Sequence, residues 1–272
     1  MDLTTRLARI WEHRNVLDTL VRRDLRVRYA RSWLGYLWTL IDPLAMGLVY
    51  FFVFGVLLGS RQVPGMPFIV FLMAGMLPWN WFNACINESS RALLSERLLV
   101  RSTNLPRELW VVRVVLAKGV EFLLSMPILF LFAGWYIARG EMSLDWQLVW
   151  ILPALVIQLM LCIGMGLVMA PITTLVDDFI RIVRIVLRML FYFTPIVYSL
   201  QLVEERAPWA QPFMALNPMV GITDMYRAGL TEHSSYQPFH TAWLSAFVIA
   251  AVWLAFGMWF FRKFEPTVLK EI

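Results

Sequence analysis

Five stretches of this chain contain no Asp, Glu, Lys or Arg: residues 62–87, 122–138, 146–176, 189–203 and 233–261. A sixth, about 36–59, carries only Asp42, near its start. An apolar run of roughly 20 residues is what crosses a ~30 Å hydrocarbon core. Inside that core a helix is the form that satisfies its own backbone groups. The reading is an all-α integral membrane protein with six transmembrane helices. Hydrophobic residues make up 60% of the 272 positions and mean hydropathy is +0.65, far above a soluble domain.

The charges fix an orientation. With the N-terminus in the cytoplasm, only Arg61, Arg139, Arg206 and Arg227 of the 24 Lys and Arg fall outside. The other twenty lie in 1–36, 88–118, 177–188 and 262–272, so both termini are expected inside. The net charge of +5 then reflects topology and anionic lipid, and no nucleic-acid partner is expected. The first 36 residues hold eight arginines and no early apolar core, so no cleavable signal peptide is expected.

Between the spans the sequence is specific. In residues 5–31, Leu7, Ile10, Val16, Leu17, Leu20, Val21 and Leu25 recur at near-helical spacing among arginines, predicting an amphipathic helix at the membrane interface. The first domain is therefore 1–36, and 37–272 forms the six-helix body. In the 88–110 loop, Arg91, Leu94, Arg97, Leu98 and Arg101 fit a short helix, and Pro106 opens the next one. Lys118 and Glu121 sit at i, i+3 and can pair. The loop at about 200–240 has four prolines among many apolar residues, which suggests short re-entrant helices rather than a solvated strand of chain. Cys85 and Cys162 lie in apolar segments and read as buried free thiols.

Catalytic signatures do not occur. The chain has no G-x-x-x-x-G-K-[ST] loop, no H-E-x-x-H and no G-x-S-x-G. His13, His233 and His240 are scattered, so no metal site is expected. Asp177-Asp178 is the one adjacent acidic pair on the inside and reads as a helix-capping turn. Six helices without a catalytic cluster describe a translocation subunit more simply than an enzyme.

Several islands carry a resemblance. They are Leu20-Val-Arg-Arg-Asp-Leu-Arg-Val-Arg-Tyr29, Ser32-Trp-Leu-Gly35-Tyr-Leu-Trp38 with Pro43, and Ala74-Gly-Met-Leu-Pro-Trp79 with Phe82. Leu98-Leu-Val-Arg101, Pro106-Arg107-Glu108, Leu216-Asn217-Pro218-Met219, Tyr226-Arg227 and Phe264-Glu265-Pro266 follow in order. Together the chain resembles the type-2 ABC transporter permeases, nearest the branch that exports lipid-linked polysaccharides such as O-antigen, teichoic acid and galactan. Two positions depart from the pattern. Leu105 stands where an aromatic residue is frequent, and Asp42 where an uncharged polar residue is common.

The resemblance implies a permease in the bacterial inner membrane that works as a homodimer with two copies of a separate ABC ATPase. ATP and Mg would be bound by that partner and no cofactor by this chain. It implies a coupling helix between spans 2 and 3, at about 94–108, with Leu94, Arg97, Arg101, Leu105, Pro106, Arg107 and Glu108 facing the ATPase. It also implies that the N-terminal helix packs beside the ATPase. A lipid-linked glycan as cargo needs an aromatic route, and Trp38, Tyr50, Phe51, Phe52, Trp79, Trp81, Phe191 and Tyr192 are candidates. An interfacial aromatic belt or helix packing is the plainer account of the same residues. For the lipid diphosphate, Arg28 and Arg31 before span 1 and Arg181, Arg184 and Arg188 entering span 5 are candidates, since guanidinium grips phosphate in paired bonds. Snorkelling to headgroups is the plainer account there. A drug or small-lipid exporter, a membrane glycosyltransferase and a plain channel remain as other readings.

Overall fold

The computed structural model describes residues 9–30, 32–59, 65–230 and 239–271. Among the described residues, five helices are long and apolar enough to cross a membrane. A short amphipathic helix, α1 (Arg14–Tyr29), precedes them. The first candidate span, α2, runs Gly35–Leu57; its last seven residues, Phe51–Leu57, are wound as a π-helix. Next come α3 (Phe68–Ser89), α4 (Arg97–Ser102) and α5 (Glu108–Ala138). After α6 (Ile151–Leu175) and α7 (Phe179–Phe193) come two short pieces, α8 (Leu200–Arg206) and α9 (Gln211–Met214). The described chain closes with α10 (Pro218–Ala228) and α11 (His240–Glu271).

Helix α3 is the centre of the bundle. It packs against α2, α5, α6, α7 and α10, and Val70 to Trp79 are buried without interruption. Three close approaches set this packing. Gly47 of α2 makes room for the Met73 side chain of α3. Trp81 of α3 stacks on Phe122 of α5 with ring centroids 5.0 Å apart, over Gly119. Gly164 of α6 and Gly257 of α11 let those two backbones touch, and a Cβ on either would land on the other's backbone. Small residues at crossings are how helices associate in lipid, where hydrophobicity gives no preference for protein over lipid neighbours. Cys85 and Cys162 are free and buried in this core.

The fifth expected span differs from expectation. Helix α7 holds only 15 residues, about 22 Å at 1.5 Å per residue. It stops at Thr194, which is extended at φ −90° and ψ 133°. Thr194 precedes Pro195, and the proline ring pushes the residue before it out of the helical region. Asp178 stands just before α7, yet its carboxylate pairs with Arg181 at 3.4 Å instead of capping the backbone.

The segment after α7 is equally particular. Asn217 caps α10 by accepting from the Met219 N–H at 3.0 Å, and Pro218 fills the first helical position. Every residue of α10 from Met219 to Ala228 is buried, packed among α3, α6 and α11. The expected short helices of the 200–240 segment are present as α8, α9 and α10; α10 is buried in the body, whereas Phe213 of α9 and the flanking Trp209 and Leu216 are exposed.

Helix α1 packs on the bundle through its apolar face. Its Leu17 and Val21 pack on Leu109, Val112 and Ala117 of α5. Helix α5 is 31 residues long, about 46 Å, well beyond the core of a bilayer. Its first turns, carrying Arg113 and Lys118, are the post on which α1 rests.

Candidate functional site

Between α2, α3 and α7 the rings of Tyr50, Trp79, Phe191 and Tyr192 meet. Phe191 lies 5.7 Å from Tyr50, 5.7 Å from Trp79 and 5.2 Å from Tyr192, centroid to centroid. Four of the eight aromatic residues singled out in the sequence therefore share one wall. The other four do not join it. Phe51 turns to Phe68 at 6.3 Å, Phe52 is exposed on α2, Trp81 is stacked on Phe122, and Trp38 stands one face away.

A polar stripe missed in the sequence runs down α3 beside this wall. Asn80, Asn83 and Asn87 recur at i, i+3, i+7 and so share one helix face. Asn87 Nδ2 donates to the Asn83 carbonyl oxygen at 2.9 Å and to its Oδ1 at 3.0 Å. Asn80 is exposed, although the ten residues before it are buried. A cavity of about 440 Å³ opens along this face, between the end of α1, the start of α2, α3 and α5. Trp38, Asp42, Asn80 and Asn83 line it, with Arg28, Lys118 and Glu121 at one end.

Those charges belong to a network of alternating sign that ties α1 to α3 and α5. Arg28 reaches Glu88 at 2.6 Å and Glu121 at 3.0 Å; Lys118 reaches the same two carboxylates at 2.8 Å each. Arg113 reaches Asp24 at 3.0 Å and Glu96 at 3.4 Å, and Arg23 also pairs with Glu96. Arg113 and Lys118 are almost fully buried, with 4% and 6% of their side chains exposed. For Arg28, burial works against the charge, but the bond to Glu88 and the charges of Glu88 and Glu121 hold its pKa above the usual value. Burial, then the nearby negative charge of Glu121, pushes the neighbouring Tyr29 phenol up to about 12.

The five arginine candidates for a diphosphate separate accordingly. Arg28 spends its donors on Glu88 and Glu121. Arg31 lies outside the described residues. Arg181 pairs with Asp178. Arg184 and Arg188 are exposed on one face of α7 and make no ion pair among the described residues. Arg184 lines a second cavity, of about 360 Å³, together with Asn87 and Arg91. Arg91 was placed by its spacing in the short loop helix, but it lies in the turn before α4.

The expected 94–108 helix is two pieces. Arg97–Ser102 is helical, Thr103 is extended, and α5 restarts at Glu108. Leu94, Arg97, Leu98 and Arg101 are exposed, Leu98 at 78%. Leu105, Pro106 and Arg107 are half-buried, and Glu108 is buried.

On the far side, Arg227 was counted among the outer-loop arginines, but it is 2% exposed. Its guanidinium donates to the carbonyl oxygens of Pro195 (2.6 Å), Ile196 (3.1 Å) and Phe71 (3.3 Å). The group also stacks 3.6 Å over the Phe71 ring. Gly75 of α3 leaves the room: a Cβ there would collide with the guanidinium. Asn217 joins this assembly by donating to Thr194 Oγ1 at 2.9 Å. So the break in α7 is closed by α10. The carbonyls that lost helical donors receive the arginine's N–H groups, and this is the condition for irregular backbone at membrane depth.

Comparison with known proteins places the sequence in one lineage. Residues 15–231 match the model of the family described as ABC-2 type transporter. The chain is 30% identical over 261 residues to the O-antigen export system permease protein RfbA of Myxococcus xanthus, covering 96% of this chain and 97% of that one. It is 28% identical to an RfbA of Klebsiella pneumoniae, over 76% and 77% of the two chains. With the polysialic acid transport protein KpsM of Escherichia coli it shares 24%, over 93% and 95%. With its membrane-length helices, its match to the family model and this end-to-end relationship, the chain belongs to the ABC-2 type transporter family of multi-pass membrane proteins.

Proposed function

We propose that this chain is the transmembrane subunit of an ATP-driven ABC exporter that moves a lipid-linked polysaccharide, of the O-antigen or galactan type, outward across the bacterial inner membrane. The observation that carries the reading is the relationship to O-antigen export permeases along nearly the full length of both chains.

In this reading α7 and the non-helical residues that follow it, up to the start of α8 at Leu200, together make the sixth crossing. The arginine bias puts both termini in the cytoplasm. Two copies face each other through α2 and α7, whose outward surfaces carry Phe52, Val56, Ile185, Met189 and Phe193. The glycan passes between them along Tyr50, Trp79, Phe191 and Tyr192, because sugar C–H faces lie well on aromatic rings. Arg184, Arg188 and Arg91 hold the lipid diphosphate at the cytoplasmic end. Two ATPase subunits, which bind the ATP and Mg, dock on Leu94, Arg97, Leu98 and Arg101. Leu105 to Glu108 pass their movement into α5, a stiff rod that also carries α1.

Depletion of the chain in its own cells tests the cargo. The reading expects lipid-linked glycan to accumulate on the cytoplasmic side, out of reach of an external glycosidase, while surface glycan falls. Unchanged surface glycan after depletion would contradict it.

A further inference from the structure

The 440 Å³ cavity on the α3 face has a lining that the diphosphate and the aromatic wall do not account for. At one end its cations are already neutralised: Arg28 and Lys118 share Glu88 and Glu121. Above them stand a carboxylate and an amide with nothing to bind. Asp42 and Asn80 are exposed, line the cavity from α2 and α3, and make no side-chain hydrogen bond or ion pair among the described residues. Trp38, one turn before Asp42, lines the same space and is 42% exposed. An ionisable group within a membrane span is costly and marks a functional site by default.

The charge balance decides what kind of ligand fits. The unpaired ionisable group in the lining is an anion, Asp42, and the lining cations Arg28 and Lys118 are both held by Glu88 and Glu121, so among the described residues a phosphate finds no free cation there and meets Asp42. A carboxylate and an amide beside an indole suit an uncharged, hydroxyl-rich ring. The carboxylate accepts from hydroxyls, the amide both donates and accepts, and the indole covers the C–H face. The volume lies within the usual range for small-molecule pockets.

We propose that this cavity is a sugar-binding subsite. It takes one neutral sugar ring of the cargo, with Asp42 and Asn80 bonding its hydroxyls and Trp38 against its face, and Asp42 helps set which glycan is accepted. The proposal rests on the export reading above and adds a recognition step to it.

The test uses the full chain with its ATPase partner in liposomes. The probes are the lipid-linked glycan extracted from the native membrane and the same lipid diphosphate stripped of its glycan. ATPase rate is followed against the concentration of each. Asp42→Leu and Asn80→Leu should each raise the half-maximal concentration of the glycan-bearing lipid about tenfold, and leave that of the bare lipid diphosphate within about twofold. Asp42→Asn, which keeps the hydrogen-bonding oxygen, should stay within about threefold for both. Because neither side chain holds another residue, size-exclusion profiles should match the wild type, and Asn80→Ala provides a second reading of the same site. An equal tenfold shift for both probes would make the cavity a headgroup site and overturn the proposal. Stimulation of the wild type with no change in any variant would overturn it while leaving the export reading intact. A wild-type complex indifferent to the glycan-bearing lipid would bring down both.

Discussion

Replacing Arg227 by Met should cost about 3 kcal/mol of stability. Met is near arginine in length and has no donors, so the substitution strips the carbonyls of Pro195 and Ile196 of their partners. Each orphaned buried acceptor costs roughly 1–3 kcal/mol. Phe71 lies within α3, where the helix supplies its own bond, and adds little. Against this stands the relief of removing a buried charge, which offsets part of the loss. Chemical unfolding of the purified chain in detergent reads the difference. Gly75→Ala perturbs the same contact from the opposite side, by pushing a methyl into the guanidinium, and should cost about 1–3 kcal/mol as an overpacking change. The two must not add: with Met at 227 the added methyl should cost less than half as much, because the group it strikes is gone. A loss below about 0.5 kcal/mol for Arg227→Met, or strict additivity, would refute the idea that this arginine closes the break in α7.

Further expectations concern packing, the cytoplasmic network and the cargo path. Gly257→Ala puts a methyl on the backbone of α6 at Gly164 and should lower the yield of folded, monodisperse protein severely, which size exclusion measures; Gly134→Ala, with open space around it, should be harmless. Lys118→Met leaves Glu88 and Glu121 facing each other with only Arg28, and should cost about 3 kcal/mol and expose α1 to protease. Trp79→Ala or Phe191→Ala should cut surface glycan at least fivefold at equal protein level. Phe51→Ala, off the aromatic wall, should cut it far less.

What the sequence revealed and what it hid follow from range. Uncharged runs are a local property, so five spans and the amphipathic α1 could be read directly. The pairing of Lys118 with Glu121 was legible for the same reason, being one helical turn long. The break at Thr194-Pro195 carried a local signal too, since the residue before a proline leaves the helix, but an uncharged run hides a break when only charge is scanned. Arg227 looked like an outer-loop cation because nothing near it in sequence announces three carbonyls from two distant segments. The asparagine stripe was overlooked inside an apolar span, where hydropathy averages it away. Its i, i+3, i+7 spacing would have revealed it to a reader asking which polar residues share a face. Of the diphosphate candidates, Arg28 was misleading because its partners Glu88 and Glu121 lie 60 and more residues away.

On the proposed function, this permease works only with a separate ATPase, docked at the turn between α3 and α5. The most direct measurement is purification of the tagged chain from its native membrane, with identification of what elutes and its ATPase rate, for the wild type and for Leu98→Asp together with Pro106→Ala. The account predicts a stoichiometric ABC ATPase on the wild type and its loss, or at least a tenfold drop in hydrolysis, on the variant at unchanged amounts of permease. A chain that elutes alone with no nucleotide hydrolysis, or a variant that keeps its ATPase at full rate, would contradict it.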